Sequence, residues 1–410
     1  MPQLAQFICF AALLLPAALH AQDKAWTFPD LLRQSLAAHP SVLASRSSAI
    51  AAGSDLESAL WQRFPTPSFQ AFSSQTPGTG NISSFQVQQP LWTGGRITAG
   101  IDAAQFRKDA AESVVGETSR DLALRVVAAY VEAVRQKLRE EQARRGVSEH
   151  ERLLGLIGRR VQQEVSAPVD RELAQSRLYL AANDLSLNSQ QRQIALTQLT
   201  QLTGRPVENV AAFGPETVAV PPSEEIALQR AIANSPTLAR IAAQEKAAGA
   251  DVDAQRAAMW PTINLRYQRN LGGVGGVTDN QLMLVLQAQP GAGLSALSNI
   301  EAARSRQNAL GHQRDSAVRD IQERVGIDWN ELRYARERRD NADLSRKTAA
   351  RVFDSFTQQF TTGRKTWIDV LNAVREFTQS EFSFADADSQ VAGAALRLGI
   401  TTGTLLASTP

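Results

Sequence analysis

The stretch Leu36-Ala37-Ala38-His39-Pro40 returns about 200 residues later as Ile232-Ala233-Asn234-Ser235-Pro236. Further pairs keep nearly the same offset: Phe64-Pro65-Thr66 with Trp260-Pro261-Thr262, Gln89-Pro90 with Gln289-Pro290, Val169-Asp170 with Ile368-Asp369, and Thr203-Gly204 with Thr402-Gly403. A unit of about 200 residues is too long for the repeat of a solenoid. The sequence therefore predicts one architecture made of two equivalent halves, a first repeat over residues 22–210 and a second over residues 211–410.

Residues 1–21 have the composition of a leader that directs secretion. An apolar run from Phe7 to Leu15 precedes small residues up to Ala21, which is typical of a cleaved signal peptide. The only cysteine, Cys9, lies inside this run and follows bulky residues, whereas small residues precede a lipid-modified cysteine. We therefore expect an exported mature chain without a lipid anchor or a disulfide.

Composition disfavours several classes of function. The 43 basic and 41 acidic residues are interleaved, so no basic face suggests nucleic acid as a partner. The histidines after the leader, His39, His150 and His312, are scattered without metal-ligand spacing and are expected to be surface or packing residues. No phosphate loop, nucleotide fingerprint or nucleophile elbow is present, so we expect neither a cofactor nor an enzyme activity.

Each repeat is predicted to begin with a helix and a strand hairpin. In the first repeat, Thr27 is expected to cap a helix from about Pro29 to Gln62 that is interrupted near His39-Pro40, because proline removes a backbone donor. Strands are predicted over residues 68–72 and 82–89, in a hairpin that spans about residues 66–90.

A very long helix is predicted to follow. From Ile97 to about Val165 there is no proline and apolar residues recur at helical spacing, which predicts one helix or two stacked ones. At about 1.5 Å per residue, such a stretch spans about 100 Å. After a turn at residues 166–168, a shorter helix is expected from Asp170 to Leu202, with Gly204 as its C-cap. The stretch from about Ala302 to Phe360 is predicted to repeat the long helix.

The hairpin of the second repeat, at about residues 262–289, shows strict alternation. Ile263, Leu265 and Tyr267 alternate with polar residues, as expected when one face meets apolar material and the other water. An ordinary half-buried hairpin of a soluble protein has the same pattern. After the leader no run of about 18 apolar residues remains, so any membrane crossing must use strands. Four strands cannot close a barrel, whereas three chains would supply twelve and leave an open lumen.

In this order and duplicated, several motifs resemble the TolC family of outer-membrane channel-tunnel proteins along essentially the whole mature chain. The motifs are Leu36-Ala37-Ala38-His39-Pro40, Gln89-Pro90-Leu91-Trp92-Thr93-Gly94-Gly95-Arg96, and Phe360-Thr361-Thr362-Gly363-Arg364-Lys365-Thr366-Trp367-Ile368-Asp369-Val370-Leu371-Asn372-Ala373. The resemblance implies a mainly α fold with a small β part. It also implies a homotrimer, with a shared twelve-stranded barrel in outer-membrane lipid and an α-helical tunnel that extends into the periplasm.

The resemblance also implies a gate at the periplasmic tip. Asp369 matches the family's constriction acid, Lys365 its basic latch residue and Asp170 the acidic partner, while Asn372 replaces a second acid. The two turns at the tip are marked by the residues Pro168, Gly363 and Arg364. One ring of Asp369 would favour cations more weakly than two acidic rings. Alternatively, these residues are solvated turn charges whose surface pairs contribute about 0 to 1 kcal/mol.

Three tryptophans flank the hairpins and are predicted to lie at the membrane interface. They are Trp61, Trp92 and Trp260. Such aromatic residues form girdles at the two surfaces of a bilayer. Packing under the rim of the sheet is the alternative.

The function implied by the resemblance is that of a passive exit duct. It would work with a periplasmic adaptor and an inner-membrane ABC transporter or proton-driven pump. The segment from Gln289 to Ser295 departs from the form of the first hairpin exit and resembles members that serve type I secretion of large adhesins. Efflux of drugs or other small molecules is the alternative within the channel class, and a periplasmic helical scaffold without a pore is the alternative outside it.

Overall fold

A computed structural model describes residues 25–72, 82–214, 220–271, 279–288 and 295–405. The predicted leader, the two hairpin loops and most of the segment from Gln289 to Ser295 lie outside these ranges. The chain passes twice through the same series of elements, and each passage is called a round. The elements of the first round are α1 Phe28–Ala38, α2 Pro40–Trp61, β1 Thr66–Phe72, β2 Ile82–Trp92, α3 Arg96–Gln162 and α4 Pro168–Thr203. Those of the second round are α5 Glu224–Ala233, α6 Pro236–Ala257, β3 Thr262–Leu271, β4 Asp279–Gln287, α7 Ser295–Thr361 and α8 Trp367–Thr401.

The two rounds have the same order of elements, which confirms the predicted duplicated unit. The interruption of the first helix is also confirmed, because His39 is extended between α1 and α2. The residue before a proline is pushed out of the helical region, and Ser235 is extended before Pro236 for the same reason. The exact limits of the two repeats, at residues 22–210 and 211–410, stay predictions.

Two continuous helices determine the length of the molecule. α3 and α7 contain 67 residues each, so the choice between one long helix and two stacked ones is settled in favour of one. Each spans about 100 Å at about 1.5 Å per residue. The helices α2 and α6 pack along the part of α3 next to the sheet, whereas α4 and α8 pack along its other part. α7 packs against α6 and α8, so α3 lies inside the helical layer and α7 at one edge.

The largest core surrounds the middle of α3. Tyr130 is buried between Phe28 and Phe213, with ring centroids 5.5 Å and 5.8 Å away. Its hydroxyl donates a hydrogen bond to the carbonyl of Ala211 at 3.1 Å, and burial raises the pKa of this phenol to about 12. This core fixes the connection between the two rounds onto α3. No helix in the described part of the chain has the length and apolar character needed to cross a membrane.

The four strands form one antiparallel sheet in the order β1-β2-β3-β4. β1 begins two residues earlier than predicted, and β2 continues to Trp92 instead of ending at Gln89. The register shifts between Pro90 and Trp92, because a proline cannot donate to the ladder and a bulge accommodates it. Within the described residues, β1 and β4 have no strand on their outer edges.

The two faces of the sheet differ in an unusual way. On β4, Leu282, Leu284 and Leu286 are 68%, 69% and 69% exposed, whereas Met283 and Val285 on the opposite face are partly covered. The register places Tyr267 opposite Leu282 and continues this apolar face over β3. The less exposed face carries a row of hydrogen-bonded polar side chains that includes Gln86, Gln88, Arg266, Gln268 and Asn270. A soluble protein normally exposes its polar face, so this sheet is built to meet an apolar surrounding.

Candidate functional site

The turn between α3 and α4 is closed by its own backbone. The amides of Val165 and Ser166 donate to the carbonyl of Arg160 at 2.9 Å and 3.3 Å, and Glu164 takes a positive φ of 58°. Pro168 begins α4 at a position where a missing N–H costs nothing. Asp170 therefore lies in the first turn of α4, where the helix dipole favours a negative charge.

The turn between α7 and α8 contains a capping box. Gly363 has a φ of 74°, and the Arg364 amide donates to the carbonyl of Gln359 at 2.9 Å. The carboxylate of Asp369 accepts hydrogen bonds from the Thr366 amide at 3.0 Å and from its hydroxyl at 2.8 Å. The hydroxyl of Thr366 in turn accepts one from the Asp369 amide at 3.3 Å. These bonds fix the start of α8.

This capping box gives Asp369 a structural role that our sequence analysis missed. The signal was readable, because Thr366 followed three positions later by an acid is the pattern of a capping box. Hydrogen bonds from the side chain and then the backbone of Thr366 lower the pKa of the Asp369 carboxyl below its usual value. The carboxylate is therefore ionised throughout the physiological range and is held in one orientation.

Both turns lie at the same end of the molecule, because Ile157 near the end of α3 packs in one cluster with Phe360 and Val370 on either side of the turn between α7 and α8. The ammonium of Lys365 lies 4.2 Å from the centroid of the Phe356 ring. Within the described part of a single chain, Lys365 and Asp170 form no ion pair with each other. A latch between neighbouring chains therefore stays a prediction.

One face of α8 is left uncovered beside the turn. Val370, Leu371 and Val374 are buried in a cluster with α3 and α7. Asn372, by contrast, is exposed, and so is Arg375. Residues three apart on a helix share a face, so Asp369, Asn372 and Arg375 follow one another along this uncovered side.

The opposite end of the molecule carries the three tryptophans at the base of the sheet. Trp61, Trp92 and Trp260 are 67%, 44% and 61% exposed. Trp260 also packs closely on Gly94, where an added Cβ would lie 2.7 Å from the Trp260 Cβ. Exposure agrees with the expected interface position, but the role itself stays a prediction.

The model of a known family matches both rounds of elements. The family is described as outer membrane efflux protein, and the match covers residues 31–205 and 227–404. The chain belongs to this family. It is therefore an outer-membrane channel protein that extends into the periplasm, not an enzyme, and the resemblance to the TolC family is confirmed.

Solved structures of outer-membrane channels share the fold of this family member. The channel OprN has a TM-score of 0.79 at 18% identity, over 92% of this chain and 89% of that one. The protein VceC from Vibrio cholerae gives 0.76 at 15%, over 92% and 96%. The open state of the MtrE channel from Neisseria gonorrhoeae gives 0.77 at 18%, over 92% and 88%. The chain matches no curated protein.

Proposed function

We propose that the protein is the passive exit duct of a tripartite export system and acts as a homotrimer. The observation that carries this proposal is the pair of open edges on one chain. In the sheet the edges are β1 and β4, and in the helical layer they are α2 with α4 on one side and α7 on the other. When unlike edges of identical chains meet, each chain is rotated relative to the one before it. The chains form a closed ring if a whole number of these rotations makes a full turn.

Three copies give the ring a useful width. Eight strands make a barrel that side chains fill, whereas twelve leave an open lumen. β2, β3 and β4 contain 11, 10 and 9 residues, which is the length that a tilted strand needs to cross a bilayer. The apolar face of the sheet would then meet lipid, and the polar face with Arg266 and Gln268 would line the lumen.

Gating is assigned to the turns at the far end. Lys365 and Asp170 on neighbouring chains would hold the tip closed, and the carboxylates of Asp369 would form one ring of charge at the constriction. An adaptor that docks there would open the tip, and an ABC transporter or a proton-driven pump in the inner membrane would supply the energy.

Two kinds of cargo have specific support. The description of the family names efflux, which supports the efflux of drugs or other small molecules. The segment from Gln289 to Ser295, which departs from the first hairpin exit, supports type I secretion of a large protein such as an adhesin. Deletion of the gene separates them: sensitivity to antibiotics supports efflux, and loss of a secreted or surface protein supports type I secretion.

Ion conductance of the purified mature protein in a planar bilayer tests the duct and its latch. We expect small conductance steps that grow when Lys365→Ala and Asp170→Ala are combined. The matched control replaces Lys347 and Asp343, which form an ion pair at 2.6 Å within α7, and should leave the steps unchanged. Equal steps in both double variants would contradict the latch, and a silent bilayer with the protein in the aqueous phase would favour the scaffold.

A further inference from the structure

A cavity of about 250 Å³ lies between α3, α4 and α8, close to the turns. Asn372, Arg375 and Gln379 line it from α8 and continue the uncovered face that begins at Asp369. His150 contributes from α3, and Arg177 from α4. The cavity therefore opens on the side of α8 that our proposed function places in the lumen, next to the constriction.

The imidazole in this cavity has an unused nitrogen. His150 is only 8% exposed, and its Nδ1 atom has no hydrogen-bond partner. A buried polar atom without a partner costs free energy, so native proteins rarely leave one without a reason. Burial, and then the positive charge of Arg177, lower the pKa of the His150 imidazole below its usual value. A negative charge in the cavity would therefore favour the protonated imidazole.

Two cations face the same space without a partner. In the described part of the chain, the guanidinium groups of Arg177 and Arg375 form neither a hydrogen bond nor an ion pair. Many other arginines are paired, as Arg192 is with Glu140 at 3.2 Å. One acid, Asp184, also lines the cavity and is exposed. The local charge is therefore positive, in contrast to the negative ring expected from Asp369.

Apart from Thr378, the rest of the lining is apolar or small. Leu180 from α4 and Leu371 and Phe382 from α8 complete the wall. Sites for drug-sized ligands enclose about 300 to 1,000 Å³, so this cavity suits a smaller molecule. Guanidinium groups match the planar fork of a carboxylate, and the apolar wall suits a single ring or a short chain.

We propose that the cavity binds a small amphipathic carboxylate that enters from the lumen. Its carboxylate would contact Arg177, Arg375 and His150, and its apolar part would pack on Leu180 and Phe382. The lumenal approach rests on the proposed function, whereas the binding site rests on the cavity itself. A ligand held here would lie beside the constriction, so the channel would retain small acids where a ring of acids alone would repel them.

Nuclear magnetic resonance of the detergent-solubilised protein, labelled at histidine, tests this site directly. The mature chain has three histidines, His39, His150 and His312, and the variant His150→Gln assigns the relevant signal. We expect benzoate to shift the His150 signal alone and to raise the pKa of its imidazole. Benzamide, which has the same shape without the charge, should do neither. Binding should tighten from pH 8 to pH 6, because the bound carboxylate favours the protonated imidazole. Arg177 and Arg375 oppose this protonation, whereas Glu149 and Asp184 favour it.

The variant Arg375→Gln provides the decisive comparison, because this side chain is exposed and its loss does not disturb the core. We expect the dissociation constant of benzoate to rise at least about tenfold, as for the loss of one charge-assisted hydrogen bond. The control is Arg336→Gln, at an exposed arginine of α7 that has no ion pair or hydrogen bond among the residues that the structure describes. It should leave binding unchanged. Equal effects of benzoate and benzamide, or an unchanged constant for Arg375→Gln, would overturn the proposal.

Conductance separates this proposal from the proposed function. A protein that conducts ions but does not bind benzoate is a duct without this site. If the protein binds benzoate through Arg375 but forms no channel, the binding site is supported and the proposed duct is wrong.

Discussion

Gly94 lies at the junction of β2 and α3, and two independent constraints apply to it. Its φ of +60° lies in the left-handed region, and an added Cβ would come within 2.7 Å of the Trp260 Cβ. Its neighbour Gly95 has a φ of +91° but open space around it, with nothing within 4 Å of an added Cβ. A side chain added at Gly95 would therefore meet backbone strain alone, whereas one added at Gly94 would also meet a steric clash.

We predict that Gly94→Ala lowers the thermal midpoint of unfolding more than Gly95→Ala. Strain at positive φ costs about 1 to 3 kcal/mol at either position, and only Gly94 adds a clash with Trp260. Circular dichroism of the purified protein on heating measures both. A third variant, Gly53→Ala inside α2, has neither constraint and should be neutral or stabilising by up to about 1 kcal/mol. Equal losses at Gly94 and Gly95 would show that the contact with Trp260 is not a constraint.

At this scale the sequence reveals local chemistry better than contacts. The capping box of Thr366 and Asp369 follows from spacing alone, and so does the left-handed C-cap at Gly204. The unsatisfied nitrogen of His150 does not, since it depends on which side chains α4 and α8 bring over α3. A histidine in a helical pattern is compatible with a surface, a core or a ligand site. The burial of His150 agrees with the expectation of a packing residue, but the sequence could not show that it also lines a cavity.

Among the elements, β4 offers the sharpest contrast between its two faces. Leu284 and Val285 are neighbours in the strand and thus lie at the same depth, but they point to opposite sides of the sheet. Leu284 belongs to the exposed apolar face, and Val285 to the face with the polar row.

We predict that Leu284→Arg prevents insertion into a bilayer far more than Val285→Arg does. A charge facing lipid near the bilayer midplane costs about 2 to 4 kcal/mol, whereas a charge facing the lumen stays hydrated. The fraction of refolded protein that enters liposomes, judged by a heat-modifiable band in gel electrophoresis, measures the difference. If both variants inserted equally well, the assignment of the apolar face to lipid would be wrong.

The order and type of the elements were predictable from proline, glycine and periodicity, but their ends were less so. The long helices end near the predicted residues because Ala167-Pro168 and Gly363 interrupt helical structure. The last residues of β2 were missed, because Pro90 normally marks the end of a strand. The bulge that keeps Trp92 in the ladder depends on pairing with Ile263 in the other repeat, which no local pattern reveals.

For the whole molecule, the open edges of the sheet predict which strands meet between chains. The mature chain contains no cysteine, since Cys9 lies in the predicted leader, so introduced cysteines report without background. Gln70 in β1 and Gln281 in β4 lie on the same face and near the same end of the sheet.

We predict that the double variant Gln70→Cys with Gln281→Cys gives covalent dimers and trimers with a flexible bismaleimide reagent, and nothing larger. A ring of three brings β4 of one chain beside β1 of the next and leaves no free edge. Each single variant serves as the control and should stay monomeric, because like edges do not meet. A ladder beyond the trimer would indicate an open assembly, and the absence of products would contradict shared strands.

Because α3 and α7 have equal length, together they fix the distance between the sheet and the tip. Each is a single covalent helix of 67 residues, so the distance from sheet to tip cannot be adjusted by sliding one domain over another. An insertion in α3 alone would tilt the tip. The turn before Pro168 and the turn at Gly363 would then lie at different distances from the sheet. A change in reach across the periplasm therefore requires matched insertions in α3 and α7, each with a compensating one in the returning helix. Duplication of the whole unit thus constrains how such a duct can evolve in length.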